Sequence, residues 1–330
     1  MSESLIIGLG ALNADRIYRV KELRPDGETT IESAEVYPGG SAANTIYGLA
    51  RLGMATAFCG AVGNDRYGRL MLSDLRKVGT DISHIVRKPE IESGAVICLS
   101  AGPERTLYVM PGANNKLSPE DIDRTYLARA NWLHLSSFAG DAQFVLTQEI
   151  VASLPRSIKL SFSPGEFYAK RGLAELRPLL ERTDILFLNR YEARLLTGQS
   201  FTAGALSCIG IGCRIVVITL GRGLVRRGVR VVAYVNNGGK ATWVYADTAN
   251  DIAVADTTGA GDAFASGFLF GAITRQTTAK CGEYGHASAR LSLGACGARK
   301  GLPTQNQLIR EHRRLYGQSN VIGKCHMSPV

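Results

Sequence analysis

The run Asp256-Thr257-Thr258-Gly259-Ala260-Gly261-Asp262-Ala263-Phe264 stands at the head of an apolar stretch with helical spacing. Gly259 and Gly261 free the backbone to turn its N–H groups toward one point, and a helix starting there adds the positive end of its dipole. Such a cradle holds an anion. A carboxylate beside it, Asp262, would repel a phosphate at rest, so it suits a base that takes the proton of a hydroxyl attacking a phosphoryl group. The competing explanation is structural, with Asp262 as a helix-cap carboxylate and the glycines as a tight turn. Asn189 and Glu192 pose the same choice. Three residues apart at a strand-to-helix junction, they can both face a cleft at the carboxyl end of a sheet, or they can form a capping box.

Groups this far apart in sequence need a scaffold that converges on one edge. Continuous apolar runs at Leu5 to Leu9, Ala130 to Leu135, Ile185 to Leu188 and Ile215 to Leu220 read as strands buried on both faces. Between them lie amphipathic segments such as Ser41 to Leu52 and Phe144 to Leu154. The expected fold is α/β, a mainly parallel central sheet between helical layers. Two stretches break the alternation, Arg16 to Pro38 and Ser93 to Met110. Each is β-rich and too short to fold alone, so they are expected to pair as a small β-sheet lid. From Ala260 to Arg299 the chain reads as helical, and a last helix is expected over Gln305 to Tyr316. We expect one domain over 1–316, with lid insertions at about 16–38 and 93–110, and a flexible C-terminal tail over 317–330.

Composition narrows the class. The 330 residues carry 38 Lys and Arg against 29 Asp and Glu, a net charge of +9, with 45% hydrophobic and 20% charged residues. Neither a disordered nor a fibrous chain has that balance. Basic clusters such as Arg226-Arg227 and Arg313-Arg314 are short, so a solvated basic surface is expected and no nucleic-acid partner. The longest apolar region, Gly204 to Gly221, holds Arg214 and internal glycines, which argues against a membrane span. Met1-Ser2-Glu3-Ser4 leads straight into Leu5 without a basic stretch or cleavage site, so the expected location is cytoplasmic. Seven cysteines with no CxxC pair fit reduced thiols. From another class, a dinucleotide-binding oxidoreductase is the alternative, because Gly8-Leu9-Gly10 follows the first strand; position 13 is Asn where that fingerprint needs a third glycine. A G-x-x-x-x-G-K-[ST] loop is absent, so a P-loop kinase is not supported.

The stretch Asp256 to Asp262 resembles the signature of the ribokinase-like (PfkB) family of sugar and nucleoside kinases. Gly39-Gly40-Ser41-Ala42-Ala43-Asn44 is similar to that family's first signature, and Gly10-Ala11-Leu12-Asn13-Ala14-Asp15 to the part of ribokinase that holds substrate hydroxyls. The resemblance extends to about residue 303, and Lys300-Gly301-Leu302-Pro303 looks like archaeal members. It implies a Rossmann-like, ribokinase-like fold and transfer of a phosphoryl group from ATP, with Mg2+, to a sugar hydroxyl; a nucleoside kinase is the alternative. Asp262 would be the base, and the N–H groups of Gly259, Ala260 and Gly261 the anion hole. Asn13, Asp15, Gly39, Gly40 and Asn44 would bind the acceptor, with Arg105 beside a phosphorylated one. Asn189, Thr219, Gly221, Gly223 and His286 would lie on the nucleotide side, and Asn189 with Glu192 would organise Mg2+ through water. Asp256 and Thr258 match the K+ site of those members that have one.

Departures from the pattern are local. The usual Gly-x-x-Gly is shortened to Gly221-Arg222-Gly223, and Ser136 stands where ribokinase carries a substrate-binding Glu. A nucleoside acceptor would need an apolar wall for its base, for which Tyr108, Phe138 and Phe167 are the candidates. The resemblance also implies a homodimer through the lid.

Overall fold

The computed structural model describes residues 4–24, 26–102, 104–246 and 253–317. Its central sheet runs, in spatial order, through Ala241–Ala246, Val229–Asn236, Ile215–Arg226, Ile185–Asn189, Lys159–Ser163, Trp132–Ser136, Leu5–Leu9, Ala55–Gly63 and Ile85–Lys88. From Ile215–Arg226 to Ile85–Lys88 every neighbour is parallel, and the remaining two strands are added antiparallel at one edge. The inner strands are mostly apolar and buried because helices cover both faces, and the polar His134 and Ser161 within them meet each other at 2.9 Å. In Leu5–Leu9, Ile6 joins the layer of Ile46, Phe58 and Phe268, whereas Ile7 joins the opposite layer with Phe144 and Phe162. Helices Ser41–Arg51, Arg66–Lys77, Ala260–Ile273 and Thr278–Ser292 form the first layer. Asp141–Ser153, Gly172–Leu180, Arg190–Thr197 and Phe201–Ile211 form the second.

The two β-rich insertions pair into a separate sheet of four strands, in the order Ile31–Gly39, Asn13–Val20, Gly94–Ala101, Glu104–Met110. Residues opposite one another in such a sheet project from the same face. Asp15 stands opposite Tyr37 and Val96, and Arg19 opposite Ser100, which in turn stands opposite Arg105. Polar joints tie this lid to the core. Asn114 accepts from the Leu12 N–H at 2.9 Å and donates to the Leu12 carbonyl at 3.0 Å. Ser93 donates to Asp65 through its N–H at 2.7 Å and its hydroxyl at 2.8 Å, while Asp65 caps the helix that follows by accepting from the Gly68 N–H.

Two elements depart from the sequence reading. The strand expected to end at Leu220 continues to Arg226, and Gly221-Arg222-Gly223 lies in a bulge where pairing jumps from Thr219 to Leu224. That strand then turns back at Arg227-Gly228, both with positive φ, as a two-residue hairpin requires. Glycines weaken a strand by propensity, so the extension exists only because the neighbouring strand Val229–Asn236 supplies its partners. The helical stretch from Ala260 is two helices, broken where Arg275 takes φ +58° and Thr277 caps the second by accepting from the Lys280 N–H. The tail expected over 317–330 lies, apart from Gly317, outside the described residues.

Candidate active site

Gly40 has φ +100° and sits where a Cβ would run into the Ala11 carbonyl, so only glycine lets the chain leave the lid strand and enter the helix Ser41–Arg51. The first turn of that helix presents two donors to Asp262. Ser41 Oγ donates to one carboxylate oxygen at 2.7 Å and Asn44 Nδ2 to the other at 2.8 Å. Asp262 itself lies in the first turn of Ala260–Ile273, whose cap, Gly259, is left-handed at φ +73° and rests on Ala298. The Ala260 N–H makes a long bond of 3.3 Å to the Thr257 carbonyl, and those of Gly259 and Gly261 meet no acceptor among the described residues. A carboxylate and outward N–H groups therefore share one helix start. Burial pushes the Asp262 carboxyl up to about 6, with Asn44, Ser41 and Arg299 opposing.

Asp15 faces the same cleft from the lid. Burial raises its carboxyl to about 7; Arg299 opposes the rise, and the charges of Asp262 and Asp256 add to it. Carboxyls raised toward neutrality by burial in one cleft mark it as a candidate functional site. Asn13, one turn of the pleat away, accepts from Asn114 Nδ2 at 2.9 Å and is thereby aimed. Gly39, at the end of its lid strand, stands opposite Asn13. Asn44 has both ends of its amide engaged, its nitrogen by Asp262 and its oxygen by Arg299.

Three residues outside the sequence-derived set complete the site: Ser41, Arg299 and Asp74. Arg299 is 5% exposed. It donates to Asn44 Oδ1 at 2.8 Å, to the Gly39 carbonyl at 2.9 Å and to Asp74 at 2.8 Å, and it lies 5.4 Å from the Tyr47 ring. The available signal was a single arginine closing the small-residue run Gly294-Ala295-Cys296-Gly297-Ala298. Ser136, in place of the Glu of ribokinase, is buried and accepts from the Ala42 N–H at 3.1 Å, which fixes the start of the Ser41–Arg51 helix.

Asn189 and Glu192 form the capping box. Asn189 Oδ1 accepts from the Glu192 N–H at 2.8 Å, and the Glu192 carboxylate accepts from the Asn189 N–H at 2.9 Å. The box also stands at the cleft, since burial and then the charge of Asp262 raise the Glu192 carboxyl against the Asn189 hydrogen bond. Asp256 accepts from the Thr258 N–H and hydroxyl at 2.9 and 2.8 Å and from the Gly297 N–H at 2.9 Å. Although burial raises it, these bonds and the charge of Arg105 hold the Asp256 carboxyl below the usual range. Arg105 is exposed on the lid.

Thr219, Gly221 and Gly223 lie along the bulged strand. His286 Nδ1 is 2.6 Å from the Tyr316 hydroxyl, and burial pushes the imidazole down to about 4, which keeps it neutral at pH 7. Phe138 is in the core, whereas Tyr108 and Phe167 are exposed on the lid and on the helix Gly165–Ala169, so these aromatics do not form one wall. Among the described residues no three His, Cys, Asp or Glu side chains gather as a metal-ligand set, and no helix is long and apolar enough to cross a membrane.

This geometry has relatives. The chain is 33% identical over 261 residues to an uncharacterized sugar kinase of Archaeoglobus fulgidus, a match covering 78% of this chain and 98% of that protein. It is 31% identical over 298 residues to an ATP-dependent ribose-1-phosphate kinase of Halopiger xanaduensis, covering 89% and 93%. The Arabidopsis thaliana ribokinase complexed with ribose and ATP has the same fold, with a TM-score of 0.79 at 22% identity over 95% of this chain and 99% of that one. A nucleoside kinase of Methanocaldococcus jannaschii reaches 0.78 at 22% identity, over 94% and 98%. The model of the pfkB family of carbohydrate kinases matches residues 3–305, which include the lid, the Gly39-Gly40 hinge and Asp262, and the chain belongs to that family.

Proposed function

We propose that the protein transfers the γ-phosphoryl group of ATP to a hydroxyl of a sugar held between the inner face of the lid and the Gly259–Asp262 helix start. The observation that carries this reading is Asp262, gripped by Ser41 and Asn44 beside outward N–H groups. The sugar hydroxyl would donate to Asp262. As its oxygen bonds to the γ-phosphorus, the bond to the β-phosphate oxygen breaks, the proton passes to Asp262, and ADP leaves. The N–H groups of Gly259, Ala260 and Gly261 would meet the charge on the phosphoryl group in flight.

Asn13 and Asp15 would hold the other sugar hydroxyls, with Gly39 and Gly40 allowing close approach. Thr219, Gly221, Gly223 and His286 would border the nucleotide. Glu192, already crowded by the negative charge of Asp262, fits a magnesium ion held through water together with Asn189. Bound there, magnesium would neutralise phosphate charge. Asp256 and Thr258 are the proposed place for a potassium ion, a turn whose one carboxylate is fixed by the Thr258 and Gly297 N–H groups.

A phosphorylated sugar is favoured by a specific observation. Arg19, Ser100 and Arg105 form one row on the lid face that carries Asp15, and neither arginine has a hydrogen-bond or ion-pair partner among the described residues. The Halopiger relative is named for such an acceptor. We also propose a homodimer through the outer lid face, where Val36, Tyr108 and Met110 are exposed, and a cytoplasmic location, which the six free thiols among the described residues fit. The deciding experiment is ATP-dependent phosphorylation across pentoses, hexoses, sugar phosphates and nucleosides, with Asp262→Asn beside the wild type. Product from a sugar that vanishes in the variant supports the reading, and product from nucleosides alone overturns it. A neutral sugar preferred over its phosphate, at a rate that Arg105→Ala leaves unchanged, rejects the phosphorylated acceptor.

A further inference from the structure

We infer that Arg299 is a positioning residue: its guanidinium sets the orientation of Asn44, and through it the placement of Asp262, while latching the same assembly to the lid at Gly39. This deepens the kinase reading and rests on it. The two ends of an amide differ in chemistry, and Asn44 would repel Asp262 if it turned its oxygen toward the carboxylate. A guanidinium carries only donors. With Arg299 Nε 2.8 Å from Asn44 Oδ1, the amide nitrogen must face Asp262, where it donates at 2.8 Å. The flipped amide would set donor against donor on one side and oxygen against carboxylate on the other.

The other arms of the fork reach further. One ends on the Gly39 carbonyl at 2.9 Å, at the last residue of the lid strand and directly before the Gly40 hinge. Another holds Asp74 on the helix Arg66–Lys77, which supplies the charge that a buried guanidinium needs. A shift of the strand Ile31–Gly39 therefore moves an acceptor of the same rigid plane that aims Asn44. Around Asp262, Asp15 from the lid and Glu192 from the helix Arg190–Thr197 bring negative charge, and Arg299 brings the positive one.

Arg299→Lys keeps the charge and cannot reach all these acceptors at once. Expected are a kcat about 10²-fold lower, the scale of a misplaced catalytic group, with little change in the KM for ATP. In carbon-13 NMR the titration midpoint of Asp262 should move to higher pH, by about one unit, and amide exchange over Gly39 to Asn44 should speed up. Asp74→Asn, which removes the counter-charge of the guanidinium and leaves its bonds to Asn44 and Gly39 in place, should lower Tm and leave the Asp262 midpoint near its wild-type place. A folded Arg299→Lys protein with wild-type midpoint and exchange overturns the inference. So does an equal loss of kcat in both variants at equal loss of Tm, which assigns the arginine a purely structural role. Should Arg299→Lys not fold, the double variant Arg299→Gln with Asp74→Asn removes both members of the ion pair together, and wild-type amide exchange over Gly39 to Asn44 in that protein overturns the inference. Titration and exchange need no turnover, so a wild-type protein that phosphorylates no sugar would sink the kinase reading and still leave Arg299 to be judged.

Discussion

At the scale of single residues, protonation decides whether Asp262 can act. Its carboxyl sits at about 6 because burial outweighs the hydrogen bonds from Asn44 and Ser41 and the charge of Arg299. A base must be ionised, so kcat/KM is expected to rise as pH rises through about 6 and to level off above; a flat profile from pH 5 to 8 (~) would remove Asp262 from the role. Asp262→Asn should lower kcat about 10³-fold, within the usual worth of a general base. Stability runs the other way. Asp262 and Asp15 have native values of about 6 and about 7 against the ordinary 3.8, so the native state binds these protons more tightly. The stability they add is present at low pH and is lost as pH rises through those native values. Asp15→Asn is therefore expected to raise Tm at about pH 8 and to make little difference below about pH 4. A lower Tm for the variant at the higher pH would contradict burial as the cause.

At the scale of elements, the glycine hinge is the part most legible beforehand. Gly39-Gly40 and Gly259 announce backbone turns that other residues resist, and the structure uses Gly40 and Gly259 at positive φ. Gly40→Ala should destabilise the protein by about 1–3 kcal/mol, read as a lower urea midpoint, because the new Cβ meets the Ala11 carbonyl. A wild-type midpoint would show that the hinge can relax. Gly221 and Gly223 sent a misleading signal, since they lie inside a strand that propensity would have ended. Asn189 and Glu192 show why spacing alone is ambiguous: the pair caps its helix, and the helix start lies beside the cleft because the sheet places strand ends there.

At the scale of the whole molecule, the lid is a second sheet whose outer face leaves Tyr108 at 56% and Met110 at 43% exposed. If that face pairs two chains, Tyr108→Glu should shift the sedimentation coefficient from dimer to monomer. A wild type that already sediments as a monomer would end the dimer reading. Much of this architecture followed from the sequence by itself: the buried parallel strands, the covering helices, the two insertions that pair, the helix start around Asp262. Those features rest on periodicity, on backbone sterics and on a local motif, which act over a few residues. Only the tertiary structure decided which groups grip Asp262. Ser41 and Asn44 lie 221 and 218 residues from it, and Arg299 lies 255 residues from Asn44. Partner choice and desolvation depend on which distant segments pack together, and nothing in the neighbourhood of Arg299 along the chain specifies that Gly39, Asn44 and Asp74 will meet it.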